Sequence, residues 1–162
     1  DKVVAAARNW FGIEPDLAEY RGGRLIAELF PNLEHPLYPL LHDQVLEGGE
    51  GIAFVLSVLR AYEGQEFLHP LLREIVAMLE PGDELLRTVE LVIIATGVLT
   101  GEHGSVEAQS ARRALVKGWE NDEREGVRAY ATAFVKSGQN SLAWERRRAD
   151  QRVAMQKIDW DE

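Results

Sequence analysis

Residues 35–63, HPLYPLLHDQVLEGGEGIAFVLSVLRAYE, place apolar side chains at three- and four-residue steps on both sides of a Gly48-Gly49 break. That spacing belongs to two short helices joined by a glycine turn, since a half-buried strand would alternate apolar and polar residues. Laid without gaps over residues 69–97, HPLLREIVAMLEPGDELLRTVELVIIATG, the segment matches at His35/His69, Pro36/Pro70, Leu37/Leu71, Gly48/Gly82, Glu50/Glu84, Val55/Val89, Val58/Val92 and Ala61/Ala95, eight of 29 positions at an offset of 34. The His-Pro helix start and the central glycine fall at equivalent points, so a two-helix repeat is favoured. Units of this kind cannot bury their apolar faces alone and must stack, as in α-solenoids.

Working outward, the helical period continues and no strand pattern is sustained. A first helix runs from a cap at Asp1 to Phe11 and Gly12. A second spans Pro15 to Phe30, interrupted at Gly22 and Gly23 and stopped by Pro31. Pro36 opens a third that ends at Gly48 and Gly49, a fourth covers Glu50 to Tyr62, and a fifth covers Pro70 to Leu79. The Pro81-Gly82-Asp83 turn caps a sixth reaching Leu99. Ser105–Trp119, Glu123–Lys136 and Ser141 to Ile158 complete about nine helices. The expected class is all-α, as stacked antiparallel helix pairs in one domain over 1–162. Within it, 1–34 form a cap or degenerate repeat, 35–138 the helix pairs, and 139–162 a capping helix.

Asp122, followed by Val127-Arg128 and Ala131, resembles the Asp…Val-Arg…Ala signature of HEAT-type repeats at the start of their second helix. The resemblance implies that Asp122 and Arg128 tie neighbouring units together while Val127 and Ala131 pack inward. Asp83 with Leu86-Arg87 is a weaker echo in which Glu90 replaces the small residue, and Ile52-Ala53 lacks the Arg. The run from Thr96-Gly97-Val98 through Trp119 to the Trp144–Lys157 segment is similar to C-terminal helical tails of large bacterial multidomain proteins, among them STAND-type NTPases of anti-phage defence. That likeness implies a sensor arm whose NTPase and effector parts lie elsewhere, because no Gly-x-x-x-x-Gly-Lys-Ser/Thr phosphate loop occurs here. The first residue is Asp1, so the segment is expected to be cut from a longer polypeptide.

Composition narrows the function classes. The 162 residues are 46% hydrophobic and 28% charged, with 18 Lys plus Arg against 27 Asp plus Glu and a formal charge of −9. An electrostatic nucleic-acid binder needs the opposite balance, so no nucleic-acid partner is expected. Charge is also uneven: residues 1–110 hold 7 basic and 18 acidic residues, and 111–162 hold 11 basic and 9 acidic. No cysteine is present, which fits a cytoplasmic setting. The apolar stretches fall short of the roughly 20 residues that a bilayer crossing needs, so no membrane partner is expected.

Candidate chemistry is sparse. His35, His42, His69 and His103 invite a metal reading, but metal centres need three or four converging ligands, and the His-Pro pairs sit where a repeat puts equivalent turn residues. Glu120 and Glu123 have the spacing of a helical Glu-x-x-Glu pair, yet no second acidic motif follows. Ser57, Ser105, Ser110, Ser137 and Ser141 lack a nucleophile-elbow setting. The expectation is therefore no catalysis, cofactor or metal.

The surface pattern carries more. Ile52, Val55, Leu56 and Leu59, then Leu86, Val89, Val92 and Ile93, then Val127, Tyr130, Ala131 and Phe134 define buried faces of successive second helices. A polar ridge remains, with Ala53, Ser57 and Arg60, then Arg87, Glu90 and Ile94, then Glu125, Arg128, Thr132 and Lys136. From it, Arg60, Arg87, Glu90, Arg128, Thr132 and Lys136 are the expected protein-binding residues, lining a concave groove. The Glu145-Arg146-Arg147-Arg148 run is expected to solvate a capping helix, and Trp160 to contact another subunit or the rest of a longer chain. The expected function is protein recognition or scaffolding. Two alternatives are an acidic immunity-type inhibitor of a basic toxin and a small all-α metal-dependent hydrolase built around Glu120, Glu123 and nearby histidines.

Overall fold

The computed structural model describes residues 2–15, 21–34, 36–95 and 104–138, together with positions 147 and 151. Among these residues it is all-helical, with eight α-helices and no strand. The chain divides into two compact units, 1–95 and 96–162. The expected ninth helix over 141–158, Trp160, His35, His103 and the Thr96–Gly101 run lie outside the described residues, apart from helical positions 147 and 151.

In the first unit α1 covers Lys2–Ile13 and buries Val4 and Ala7, one turn apart. The next helix, α2, is Gly23–Leu29, entered through a wider π-type turn at residues 21–22. The glycine interruption read from the sequence has a packing cause. A Cβ on Gly23 would stand 3.1 Å from the Ser57 carbonyl oxygen and 3.5 Å from the Ala61 Cβ, so the absent side chain lets the two backbones approach closely without displacing either. Helix α3, Leu37–Leu46, starts where the Glu34 carbonyl accepts the Leu37 and Tyr38 amides at 2.8 and 3.2 Å, and it buries Leu37, Leu41 and Val45 along one stripe.

Gly48, with φ of 76°, turns the chain into α4, Gly49–Arg60. This helix packs against α2, α3 and also α6, Leu85–Ile94. Ile52, Phe54, Val55, Leu56, Val58 and Leu59 are each at most 2% exposed, and each such side chain contributes about 1.5–3 kcal/mol of burial. The ridge expected over Ala53 and Ser57 is corrected here. Ser57 is buried, with its hydroxyl donating to the Phe54 carbonyl at 2.7 Å, and Ala53 is half-buried, because three neighbours enclose a helix for which the sequence suggested one or two faces.

A 3-10 turn at Glu66–Leu68 leads into α5, His69–Met78, with Pro70 in the first turn, where its missing amide costs nothing. Helix α5 packs on α3 and α6 through a face that includes Leu71, Leu72, Ile75 and Val76. The turn that follows has Gly82 at φ 93°, and the Asp83 carboxylate accepts the Leu85 amide at 2.8 Å at the entry to α6. Val89, Val92 and Ile93 are buried on α6.

In the second unit, α7 is Gly104–Lys117, a 3-10 turn covers Gly118–Asn121, and α8 spans 125–138. Its described core is Val116, Trp119, Val127, Ala131 and Phe134, with the Tyr130 ring stacked between Trp119 at 6.2 Å and Phe134 at 6.1 Å.

Candidate functional site

The six expected binding residues fall three to each unit. Arg60 ends α4 and is exposed; Arg87 is exposed in the first turns of α6, and Glu90 is half-buried one turn further on. Beside Arg87 on α6, Leu91 is 42% exposed, so this helix offers an apolar side chain next to a charged one. In the other unit, Arg128, Thr132 and Lys136 form a stripe at four-residue steps on α8, with Thr132 and Lys136 exposed.

Arg128 is the most constrained of the six. Its Nη1 donates to the Asp122 carbonyl at 2.8 Å and the Glu123 carbonyl at 2.7 Å, folding the guanidinium over the turn that starts its own helix. The Asp122 carboxylate accepts the Arg124 amide at 3.0 Å and pairs with the Arg124 guanidinium at 2.8 and 2.9 Å. These bonds make the Asp…Val-Arg stretch a local clamp on the entry to α8, and charge-assisted bidentate bonds of this kind are among the strong ones.

A second surface has no counterpart in the sequence reading. Helices α1 and α3 of the first unit border an open groove of about 570 Å³. Val4, Ala5 and Leu40 give it apolar lining, and Asp43 and Glu47 stand on the α3 wall. Arg8 bridges the walls: its Nε donates to Gln44 Oε1 at 3.0 Å, and its Nη2 lies 3.4 Å from Glu50 Oε2. The same guanidinium sits 5.6 Å above the Phe54 ring, which in turn meets Phe11 edge-on at 5.7 Å. Gln44 completes the chain by donating to Glu47 Oε1 at 2.8 Å. Arg8 and Gln44 are 36 residues apart, and no local motif links them. The signal that was available is the last turn of α3, where carboxylates stand at a helix end that favours cations.

The groups considered for catalysis are dispersed or engaged. His42 stacks on Tyr38 within α3 at 6.1 Å, and His69 is buried at the start of α5. Glu120 lies in the 3-10 turn and Glu123 beyond it; among the described residues no three His, Asp or Glu side chains are placed to hold a metal ion. The Ser57 and Ser137 hydroxyls donate to carbonyls three residues back. Tyr62, whose hydroxyl donates to the Phe30 carbonyl at 2.7 Å, has its pKa pushed up to about 12 by burial and serves to tie the end of α2 to the end of α4. No helix among the described residues is long and apolar enough to cross a membrane.

No protein-family model, curated protein or solved structure matches this chain.

Proposed function

We propose that this chain is a non-catalytic protein-recognition or scaffolding module of HEAT-like helix pairs, belonging to a larger cytoplasmic bacterial protein of the defence-sensor kind. In this reading a protein partner rests on the exposed surface of the second helices. Two pairs of contacts support the stacking it requires: α3 lies against α5, and α4 lies against α6, as expected where one helix pair leans on the next.

The observation that carries the reading is the outer surface of α6, where Leu91 is 42% exposed beside Arg87, one turn back on the same helix. An exposed apolar side chain with charges beside it suits a protein contact, in which burial supplies affinity and the charges set orientation. A photo-crosslinking amino acid at Leu91, introduced into the protein in its native host, tests it. A discrete crosslinked protein is expected, and it should disappear in Arg87→Glu/Glu90→Lys while the circular dichroism spectrum stays unchanged. Crosslinking that survives the charge reversal, or that yields no discrete product, rejects the reading.

A further inference from the structure

We propose that the groove between α1 and α3 is a docking site for a basic amphipathic helix, which seats apolar side chains on Val4, Ala5 and Leu40 and sets Lys or Arg against Asp43 and Glu47. The cavity, at about 570 Å³, lies in the size range of ligand sites, and its lining offers an apolar partner side chain somewhere to bury. The proposal shares with the preceding reading only the assumption of a polypeptide partner, since it puts the contact on α1 and α3.

Charge complementarity identifies the occupant. Among the described lining residues Arg8 is the one Lys or Arg, and its guanidinium is already committed to Gln44, Glu50 and the Phe54 ring. That leaves the α3 wall acidic. Asp43 lies in the last turn of α3 and Glu47 at its C-cap, with no basic residue in that turn. Carboxylates at the negative end of a helix dipole are disfavoured, and a like-charged pair four residues apart is disfavoured again. An incoming cation relieves both penalties at once. The surrounding unit reinforces the field, because residues 1–95 hold 7 Lys or Arg against 16 Asp or Glu and so carry the whole net charge of −9.

Spacing identifies the form. Positions 43 and 47 are about 6 Å apart along the helix axis, the rise of four residues, so Lys side chains four apart on a second helix meet them in register. Residues one position further along that partner turn about 100° away, toward the groove floor, where Leu fits.

The test uses the full chain and a fluorescein-labelled, alanine-based helical peptide carrying Lys-Leu pairs four residues apart, read by fluorescence anisotropy near physiological salt. Saturable binding is expected, weakened at least tenfold when the peptide lysines become Gln or its leucines become Ser. Asp43→Asn/Glu47→Gln and the groove-filling Ala5→Trp should each weaken it at least tenfold. Glu28→Gln/Glu66→Gln, which removes the same charge elsewhere in the unit, should change it less than twofold. Arg87→Glu/Glu90→Lys should leave it intact, which separates this site from the α6 surface. Equal losses from both carboxylate pairs would reduce the effect to net charge and overturn the proposal. So would unchanged binding in the groove variants, absence of saturable binding, or a groove that governs only self-association of the chain in sedimentation.

Discussion

Replacing Gly51 with Ala tests how closely α4 is set on α3. A Cβ at this position would stand 2.0 Å from the Gln44 carbonyl oxygen, 3.1 Å from its carbonyl carbon and 3.2 Å from the Glu47 Cβ. The first of these is backbone, which no rotamer change can move, so α4 must lift from the last turn of α3 by more than 1 Å to regain van der Waals contact. Overpacking of this kind costs about 3 kcal/mol, and the helix preference of Ala over Gly returns up to about 1, leaving a net loss of about 2 kcal/mol. Hydrogen exchange read by mass spectrometry reports each unit separately. Amides of residues 37–60 should lose about 30-fold in protection, the factor corresponding to about 2 kcal/mol, while those of 125–138 stay unchanged. Gly126→Ala is the counterpart, because nothing lies within 4 Å of its Cβ position, and it should stabilise the start of α8 by about 0.5–1 kcal/mol. Protection over 37–60 equal to or above that of the parent protein in Gly51→Ala would refute the close approach of the two helices.

Other perturbations separate the remaining contributions. Asp43→Asn/Glu47→Gln should raise the thermal midpoint of the first unit by a few degrees, from about 0.3–1 kcal/mol per carboxylate removed from a helix C-terminus, and the gain should shrink as salt is added. Tyr62→Phe should cost about 1 kcal/mol in denaturant unfolding by deleting the bond to the Phe30 carbonyl. Folding raises the Tyr62 pKa from 10.0 to about 12 by favouring the neutral phenol, so this contribution is complete below pH 10 and is lost as pH rises toward 12. Ultraviolet titration should accordingly show a late tyrosine ionisation that vanishes in Tyr62→Phe. Asp122→Ala should cost the second unit about 2 kcal/mol through loss of charge-assisted bonds to Arg124, seen as faster exchange at the start of α8.

Local signals carried most of the helix reading. The Leu37, Leu41 and Val45 stripe, the positive-φ turns at Gly48 and Gly82, and the Asp83 carboxylate on the Leu85 amide are consequences of residue type over a few positions, and periodicity or turn chemistry reveals them. Spacing places Ser57 on a polar ridge, yet a hydroxyl that bonds its own helix can be buried cheaply, and only the three-sided enclosure of α4 shows that it is. Arg128 was legible as a residue of interest, but its two carbonyl partners depend on how the chain bends before α8, which spacing does not give. The α1–α3 groove was hidden for the same reason. Arg8 reaches Gln44, Glu50 and Phe54 only after distant segments have packed, and no local pattern encodes that meeting.

The enclosure of α4 bears on how the first unit comes apart. A linear array held by nearest neighbours can fray from either end, one layer at a time. Here, removing α2, α3 or α6 uncovers part of one helix whose six core side chains are each at most 2% exposed, so partial melting from any edge opens the same shared core. The three flanking helices should therefore dissociate together in one cooperative step, with α4 as the keystone of an arch that has no spare stones.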